Sequence, residues 1–506
     1  MAFYYIIGAV VIIFFLKLFV LKQQRNNQPP SPPSLTLIGH LHLVKEPMNK
    51  TLRALSAKYG DVLLLKLGVR KILLITSPSA VDECFTKNDI IFANRPSTLS
   101  TKHFSYNNTT ISIAPYGDHW CNLRRLAALE IFSSTRIAMY TGTRRRELML
   151  ILKELLRSCK HDGGSTKVDL KSKFIELAFN VLSMTIAGKR YYGENVVDSE
   201  EARRVRFVMR EMLEYSGNTN LGDFLPFLQW VDFRGLEKRF ANLMKKLDKF
   251  VQDLVNERRG LLSEKLCESH GQSEKTMINH LLSLQQKEPD YYTDELIKGI
   301  ILVLLVAGTD TMSISMEWAM SLLLNHPESI NKIKAEIDAN VPEDRLLDEQ
   351  DLPKMKYLPN VITETLRLYP PVPFLIPHQA SENCTVGGYD ISKGTMLLVN
   401  LWAIHRDPRL WEKPTEFIPE RHEFKKEEGY MLPFGAGRRK CPGGGITNRV
   451  LELTLGILIQ AFEWERVSVE MVDMTEGTGF SISKVKALEA ICKPRDATIK
   501  HSLVIS

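Results

Sequence analysis

FGAGRRKCPGGG (434–445) sets five glycines and three basic residues around one cysteine, Cys441. Glycine lets backbone approach a ligand closely and accepts turns that other residues resist. Neighbouring cations favour the thiolate, which is the metal-binding form of cysteine. The stretch therefore reads as a loop that holds a cysteine anion against something large and flat. The run GITNRVLELTLGILIQ (445–460) reads as a helix leaving that loop, its amino-terminal dipole adding to the stabilisation of the anion.

Working outward, the chain has 506 residues, 44% hydrophobic and 25% charged, which is an ordinary globular composition. A formal charge of +7 makes no case for nucleic acid and suits an acidic protein or an anionic membrane surface. The seven cysteines are scattered without a C-x-x-C pair, so neither a zinc site nor a disulfide framework is indicated. Residues 2–16 are apolar without interruption, and the run resumes after Lys17 over 18–21. About twenty helical residues span a bilayer core. Lys22 and Arg25 follow and no basic residue precedes, so the segment 1–22 reads as an uncleaved transmembrane anchor with the rest of the chain cytosolic.

The segment 23–40 holds four prolines within 29–33 and reads as an extended, stiff hinge. Residues 41–506 then form one mainly helical body with a minor β region. DVLLLKLG (61–68) and KILLITS (71–77) face each other across a tight turn, and strand-like pieces return at 384–400 and 480–500. From about 120 to 340 apolar residues recur at helical spacing, and the charged stretch 255–275 reads as a surface crossing.

Residues 293–328 begin with Thr293, Asp294 and Glu295, which suit a helix start, and stop at Pro327. The 32 residues between make a helix of about 48 Å whose apolar centre must cross a large core. Within it lies AGTDT (307–311). Gly308 weakens a helix, Asp310 needs a partner or water, and Thr311 can bond back to a carbonyl. Two accounts fit: a kink with a satisfied Asp–Thr pair, or a groove where a small molecule rests and the acid and hydroxyl relay protons. Elsewhere, Glu364 and Arg367 share a helical face, with Arg421 of FIPERHEF (417–424) as a third member of a bracing cluster. Trp120 and Arg124, at i and i+4, can offer an indole and a guanidinium to one anion; His378 in FLIPHQ (374–379) is a weaker candidate.

Together these residues resemble the cytochrome P450 family of haem-thiolate monooxygenases. Phe434-x-x-Gly437-x-Arg439-x-Cys441-x-Gly443 matches the family's F-x-x-G-x-R-x-C-x-G loop at every specified position, and Glu364-x-x-Arg367, AGTDT and Trp120-x-x-x-Arg124 precede it in the family's order. The resemblance implies a cytochrome P450 fold behind a single anchor helix. It implies haem b (iron protoporphyrin IX) with Cys441 as axial ligand, within a loop including Phe434, Gly435 and Gly443. Trp120, Arg124, His378 and Arg439 become propionate partners, Ala307 and Gly308 line an oxygen groove, and Asp310 and Thr311 deliver protons. Two positions depart: His422 stands where P-E-R-F has its aromatic, and Met312 stands where a second hydroxyl often follows, a change expected to affect water supply or pocket shape.

FANRP (92–96), YNNTT (106–110), APYGDHW (114–120), DMTEG (473–477) and LEAIC (488–492) resemble plant microsomal members, in the group holding isoflavone hydroxylases and lignan methylenedioxy-bridge enzymes. The resemblance thus implies an endoplasmic-reticulum enzyme that oxidises a lipophilic plant metabolite such as a flavonoid, lignan, terpenoid or alkaloid. Hydroxylation comes first, with ring or methylenedioxy-bridge formation as the alternative. Electrons come from NADPH through a flavin-containing NADPH–cytochrome P450 reductase, docked near Arg438 and Lys440, with cytochrome b5 as a further partner. Substrate contacts fall in 99–113, near 207–227, and in 303–307, 372–375 and 479–482. A haem-thiolate isomerase or dehydratase would not need Asp310 and Thr311, and a haem sensor would need only Cys441.

Overall fold

The helices that build the site are α1 (Asp118–Leu126), α2 (Thr141–His161), α3 (Leu170–Ala187), α4 (Leu236–Cys267), α5 (Asp294–Asn325), α6 (Tyr357–Leu368) and α7 (Gly444–Ala461). They come from a computed structural model, which describes residues 27–193, 196, 199–215, 220–228, 235–267, 276–423 and 430–495. The anchor segment 1–22, Lys22 and Arg25 lie outside the described residues, as does part of the charged stretch. What is described of that stretch, 255–267, continues α4 with Val255 and Arg258 buried, so it is the end of a long helix and not a bare surface crossing.

α5 has the expected bounds. Thr293 caps it by accepting from the Leu296 N–H at 3.2 Å, and Asp294 and Glu295 face the positive end of its dipole. It is long and apolar enough to cross a membrane, yet most of it is buried in the protein. Its later turns (Met312, Met316, Met320, Leu323) pack in one core with Leu358, Val361 and Ile362 of α6 and Leu451, Leu455 and Leu458 of α7. Against α3 the approach is close: a β-carbon on Gly308 would lie 2.7 Å from Leu182 Cδ1. Glycine is kept there for space, and the helix runs through AGTDT without a break.

The minor sheet has strand order β1 (Val62–Leu67), β2 (Arg70–Ile75), β7 (Met396–Val399), β4 (His378–Gln379). The β1–β2 hairpin pairs from Val62↔Ile75 to Leu67↔Arg70 as the alternation predicts, while β2–β7 is parallel. A second sheet is β3 (Thr166–Asp169), β9 (Glu489–Pro494), β8 (Phe462–Arg466); β5 (Cys384–Val386) pairs β6 (Tyr389–Ile391). The proline segment is extended, but it is not a free spacer. The Leu64 N–H donates to Pro30 O at 2.9 Å. Buried His40 bridges the two chains, accepting from Lys66 N–H at Nδ1 and bonding Pro32 O through Nε2, both at 2.8 Å.

The bracing cluster forms, deeper than expected: Glu364 and Arg367 are both fully buried. Arg367 donates twice to Glu364 at 2.8 Å and also to the carbonyls of His405 and Pro414 at 2.7 and 2.8 Å. Arg421 Nε reaches Glu364 Oε1 at 3.0 Å, from a 3-10 turn (Pro419–His422). His422 does more than replace an aromatic: its Nε2 bonds Glu364 Oε2 at 2.8 Å, a fourth member. Burial alone would raise the Glu364 carboxyl; the donors from Arg367 and His422 outweigh it and hold it at about 2. Its folded pKa is below the unfolded carboxylate's, so its stabilisation is complete above the unfolded value and is lost as pH falls through about 4 towards 2. Arg367→Ala is expected to cost about 3–5 kcal/mol by leaving that carboxylate buried and unpaired. Chemical unfolding at neutral pH measures this; an unchanged midpoint would show the cluster is not bearing on stability.

Candidate functional site

The cysteine loop is held by its own backbone. Cys441 N–H donates to Phe434 O at 2.8 Å, Lys440 N–H to Gly437 O at 3.1 Å, and Gly435 N–H to Leu432 O at 2.9 Å. Gly435 and Gly437 have φ of +75° and +63°, and a β-carbon on Gly437 would strike Asp89 Oδ1 at 2.3 Å. α7 starts at Gly444, immediately after Gly443, so its free N–H groups face the sulfur. Burial pushes the Cys441 thiol up, while the Gly443 N–H, the Arg124 guanidinium and the Gly444 N–H pull it down. Burial prevails, so the thiol lies above its usual value.

That corrects the expectation that the loop's three basic residues set the thiolate. Arg438 instead pairs with Asp89 at 3.2 Å, and Arg439 turns to carbonyls, donating to Ala93, Ile111 and Ala114 at 2.6, 3.3 and 2.5 Å. The cation acting on the sulfur is Arg124, from α1. A metal bound at Cys441 would ionise a coordinating thiol outright.

Trp120, Arg124, His378 and Arg439 do come together, joined by Arg95, which the sequence analysis missed. The Arg439 guanidinium lies over the Trp120 ring at 4.3 Å, while the Trp120 indole donates to Ile111 O at 3.0 Å. Burial and then the Arg439 charge push Arg95 down to about 9; burial and then Arg124 push Arg439 down to about 10. Buried His378 bonds Phe92 O through Nδ1 at 2.7 Å and is lowered by burial, then by Arg95. No carboxylate among the described residues pairs with Arg95, Arg124 or Arg439, and the buried Arg95 Nε has no hydrogen-bond partner. Three crowded cations without an acid suit a ligand carrying more than one negative charge. FANRP contained the signal for Arg95, but nothing in the sequence said that its side chain turns inward.

On α5, Ala307 is exposed and Gly308 partly so. Thr311 Oγ1 donates to Ala307 O at 2.8 Å, and the Asp310 carboxylate accepts from Ser481 Oγ at 2.6 Å. The expected Asp–Thr pair is absent among the described contacts, the expected bond from Thr311 back to a carbonyl is present, and each side chain has a separate partner. Burial raises the Asp310 carboxyl, against the lowering effects of Ser481 and Lys171. Met312 is buried in the core that also holds Leu170 and Leu177 of α3. Of the expected substrate segments, 99–113 meets α5, where Tyr106 and Thr110 flank Gly299, and 479–482 meets 371–375 through Ile482 N–H donating to Pro371 O at 2.7 Å. Part of the 207–227 segment lies outside the described residues.

The comparisons now decide the family: cytochrome P450 matches over residues 29–488. The chain is a cytochrome P450. It is 50% identical to cytochrome P450 81Q32 of Catharanthus roseus, over 94% of this chain and 93% of that one. It is 47% identical to the (+)-piperitol/(+)-sesamin synthase CYP81Q2 of Sesamum radiatum (92% and 90% covered) and 46% identical to an isoflavone 3'-hydroxylase of Medicago truncatula (91% of each). A solved zebrafish cytochrome P450 with progesterone superposes with a TM-score of 0.73 at 25% identity, covering 89% of this chain and all of that one.

The site of this cytochrome P450 fits haem by its donors. A sulfur under two backbone N–H groups suits an axial thiolate, and the buried cations, one with an orphaned Nε, suit two propionates. Cys441→Ser is expected to abolish the ferrous carbon-monoxide band of thiolate-ligated haem. Arg95→Leu and Arg439→Leu should each lower the haem retained after purification, measured as absorbance per protein, whereas Arg438→Leu should not. Equal retention in all three would separate the cation cluster from haem binding.

Proposed function

We propose that this cytochrome P450 monooxygenase hydroxylates an isoflavonoid or lignan-type plant phenolic, working from a membrane anchor at the cytosolic face of the endoplasmic reticulum. The observation that carries the reading is a cysteine loop under the N–H groups of α7 and beside an acid-free cluster of arginines, in a chain whose relatives include an isoflavone hydroxylase and a sesamin synthase. Anchoring by residues 1–22 rests on their uninterrupted apolarity. Electrons come from NADPH through a flavin reductase. Lys440 is exposed for such docking, while Arg438 is already paired with Asp89. Exposed charge of this kind sets encounter rate more than affinity.

Haem held by a thiolate supplies the activation of dioxygen, one oxygen atom entering the substrate and the other leaving as water. The chain's part is to hold and feed that group. Cys441 would hold the iron through its sulfur, and Arg95, Arg124, Arg439 and His378 with Trp120 would hold the propionates. Thr311 keeps its hydroxyl oxygen free to accept a hydrogen bond while donating to Ala307 O. Asp310, whose proton is retained to higher pH by burial, exchanges protons with solvent on one side and the groove on the other. Methylenedioxy-bridge formation is the second reading, favoured by the sesamin synthase relative. Both outcomes start from the same oxidant, and pocket shape selects between them.

Microsomes carrying the chain and a plant reductase should convert an isoflavone or a lignan in the presence of NADPH and dioxygen, and neither alone should suffice. A product bearing one added oxygen supports hydroxylation, whereas loss of two hydrogens with ring closure supports bridge formation. Thr311→Ala is expected to keep NADPH oxidation while lowering product per NADPH severalfold; unchanged coupling would remove Thr311 from proton delivery.

A further inference from the structure

The Asp310 carboxylate has one hydrogen-bond donor among the described residues. That donor, the Ser481 hydroxyl, comes from 171 residues along the chain and meets Oδ2 at 2.6 Å. Ser481 sits in a hairpin-like turn closed by Gly477 N–H to Ser483 O at 2.8 Å and Val485 N–H to Thr475 O at 3.1 Å. The next residue is fixed: buried Ile482 donates to Pro371 O and its carbonyl accepts from the Trp318 indole of α5 at 2.9 Å. The preceding residue, Phe480, is 41% exposed. Ser481 thus joins a firmly anchored position to an exposed aromatic in a segment expected to meet substrate. The other charged group facing the carboxylate is Lys171 of α3.

We propose that Ser481 is a positioning residue for proton delivery: its hydroxyl holds one oxygen of Asp310, leaves the other free to exchange protons, and makes the acid's orientation depend on the 475–485 hairpin. The proposal rests on the assignment of Asp310 to proton delivery. A hydroxyl donating to a carboxylate favours its charged form, so removing it raises the acid's titration midpoint. It also frees the side chain to rotate among its staggered wells.

The test follows the carboxylic acid infrared band of Asp310 in the ferric holoenzyme, identified by its loss in Asp310→Asn. Ser481→Ala should move its midpoint upward by about one pH unit, and Ser481→Thr, which keeps a hydroxyl, should restore it. Peroxide released per NADPH, with reductase and an isoflavone as probe, should rise severalfold in Ser481→Ala at a KM near that of the unaltered protein. Should Ser481→Ala not retain haem, the isosteric pair Ser481→Thr and Ser481→Val carries the comparison. An unmoved band and unmoved peroxide yield in the hydroxyl-free variants, with Asp310→Asn still uncoupled, would overturn the role of Ser481 alone. Coupled turnover by Asp310→Asn would overturn the assignment of the acid itself, and this proposal with it.

Discussion

A carboxylate with no access to water stands beneath the cysteine loop. Glu364 is stable there because Arg367, Arg421 and His422 surround it with donors, and Arg367 has its remaining N–H groups on the carbonyls of His405, Pro414 and Glu416. His405 in turn accepts the Leu432 N–H at 3.3 Å, Leu432 O takes the Gly435 N–H, and Phe434 O takes the Cys441 N–H. A continuous set of hydrogen bonds therefore runs from the buried acid to the residue carrying the sulfur. Low dielectric strengthens each link and makes a missing partner costly, so the loop inherits the rigidity of the core.

The helix α5 obeys a different logic. It is held tightly where it meets α3 and the late core, and beyond its first turn it is exposed only at Ala307. Burial first, and the repulsion of neighbouring cations second, lowers Arg95 and Arg439 below their usual values. Such crowding is a stability cost that a doubly charged ligand reverses. The site is thus strained towards its cofactor, as functional sites commonly are.

Much of this was legible in the chain. The bounds of α5 followed from Thr293, the two acids after it and Pro327, all local signals that tertiary packing had no reason to override. The β1–β2 hairpin followed from alternation, and the loop around Cys441 from its glycines. His422 and Arg95 were not legible in the same way. Each is an ordinary polar residue in sequence, and its role comes from turning inward towards partners 58 residues away or on a separate element. The proline segment was legible only in part: its extended form was written locally, but its pairing with β1 depends on His40 meeting Pro32 and Lys66 together.

The sequence by itself determined the glycine-rich cysteine loop, the long core helix, the acid and hydroxyl within it, and the family to which the chain belongs. These rest on residue type and short spacing, which survive without coordinates. Tertiary structure alone decided which cation acts on the sulfur, that Asp310 answers to Ser481 and not to Thr311, and that Met312 faces the core. Those are choices among donors brought within about 3 Å by folding, and no spacing along a chain states which of several distant groups will arrive.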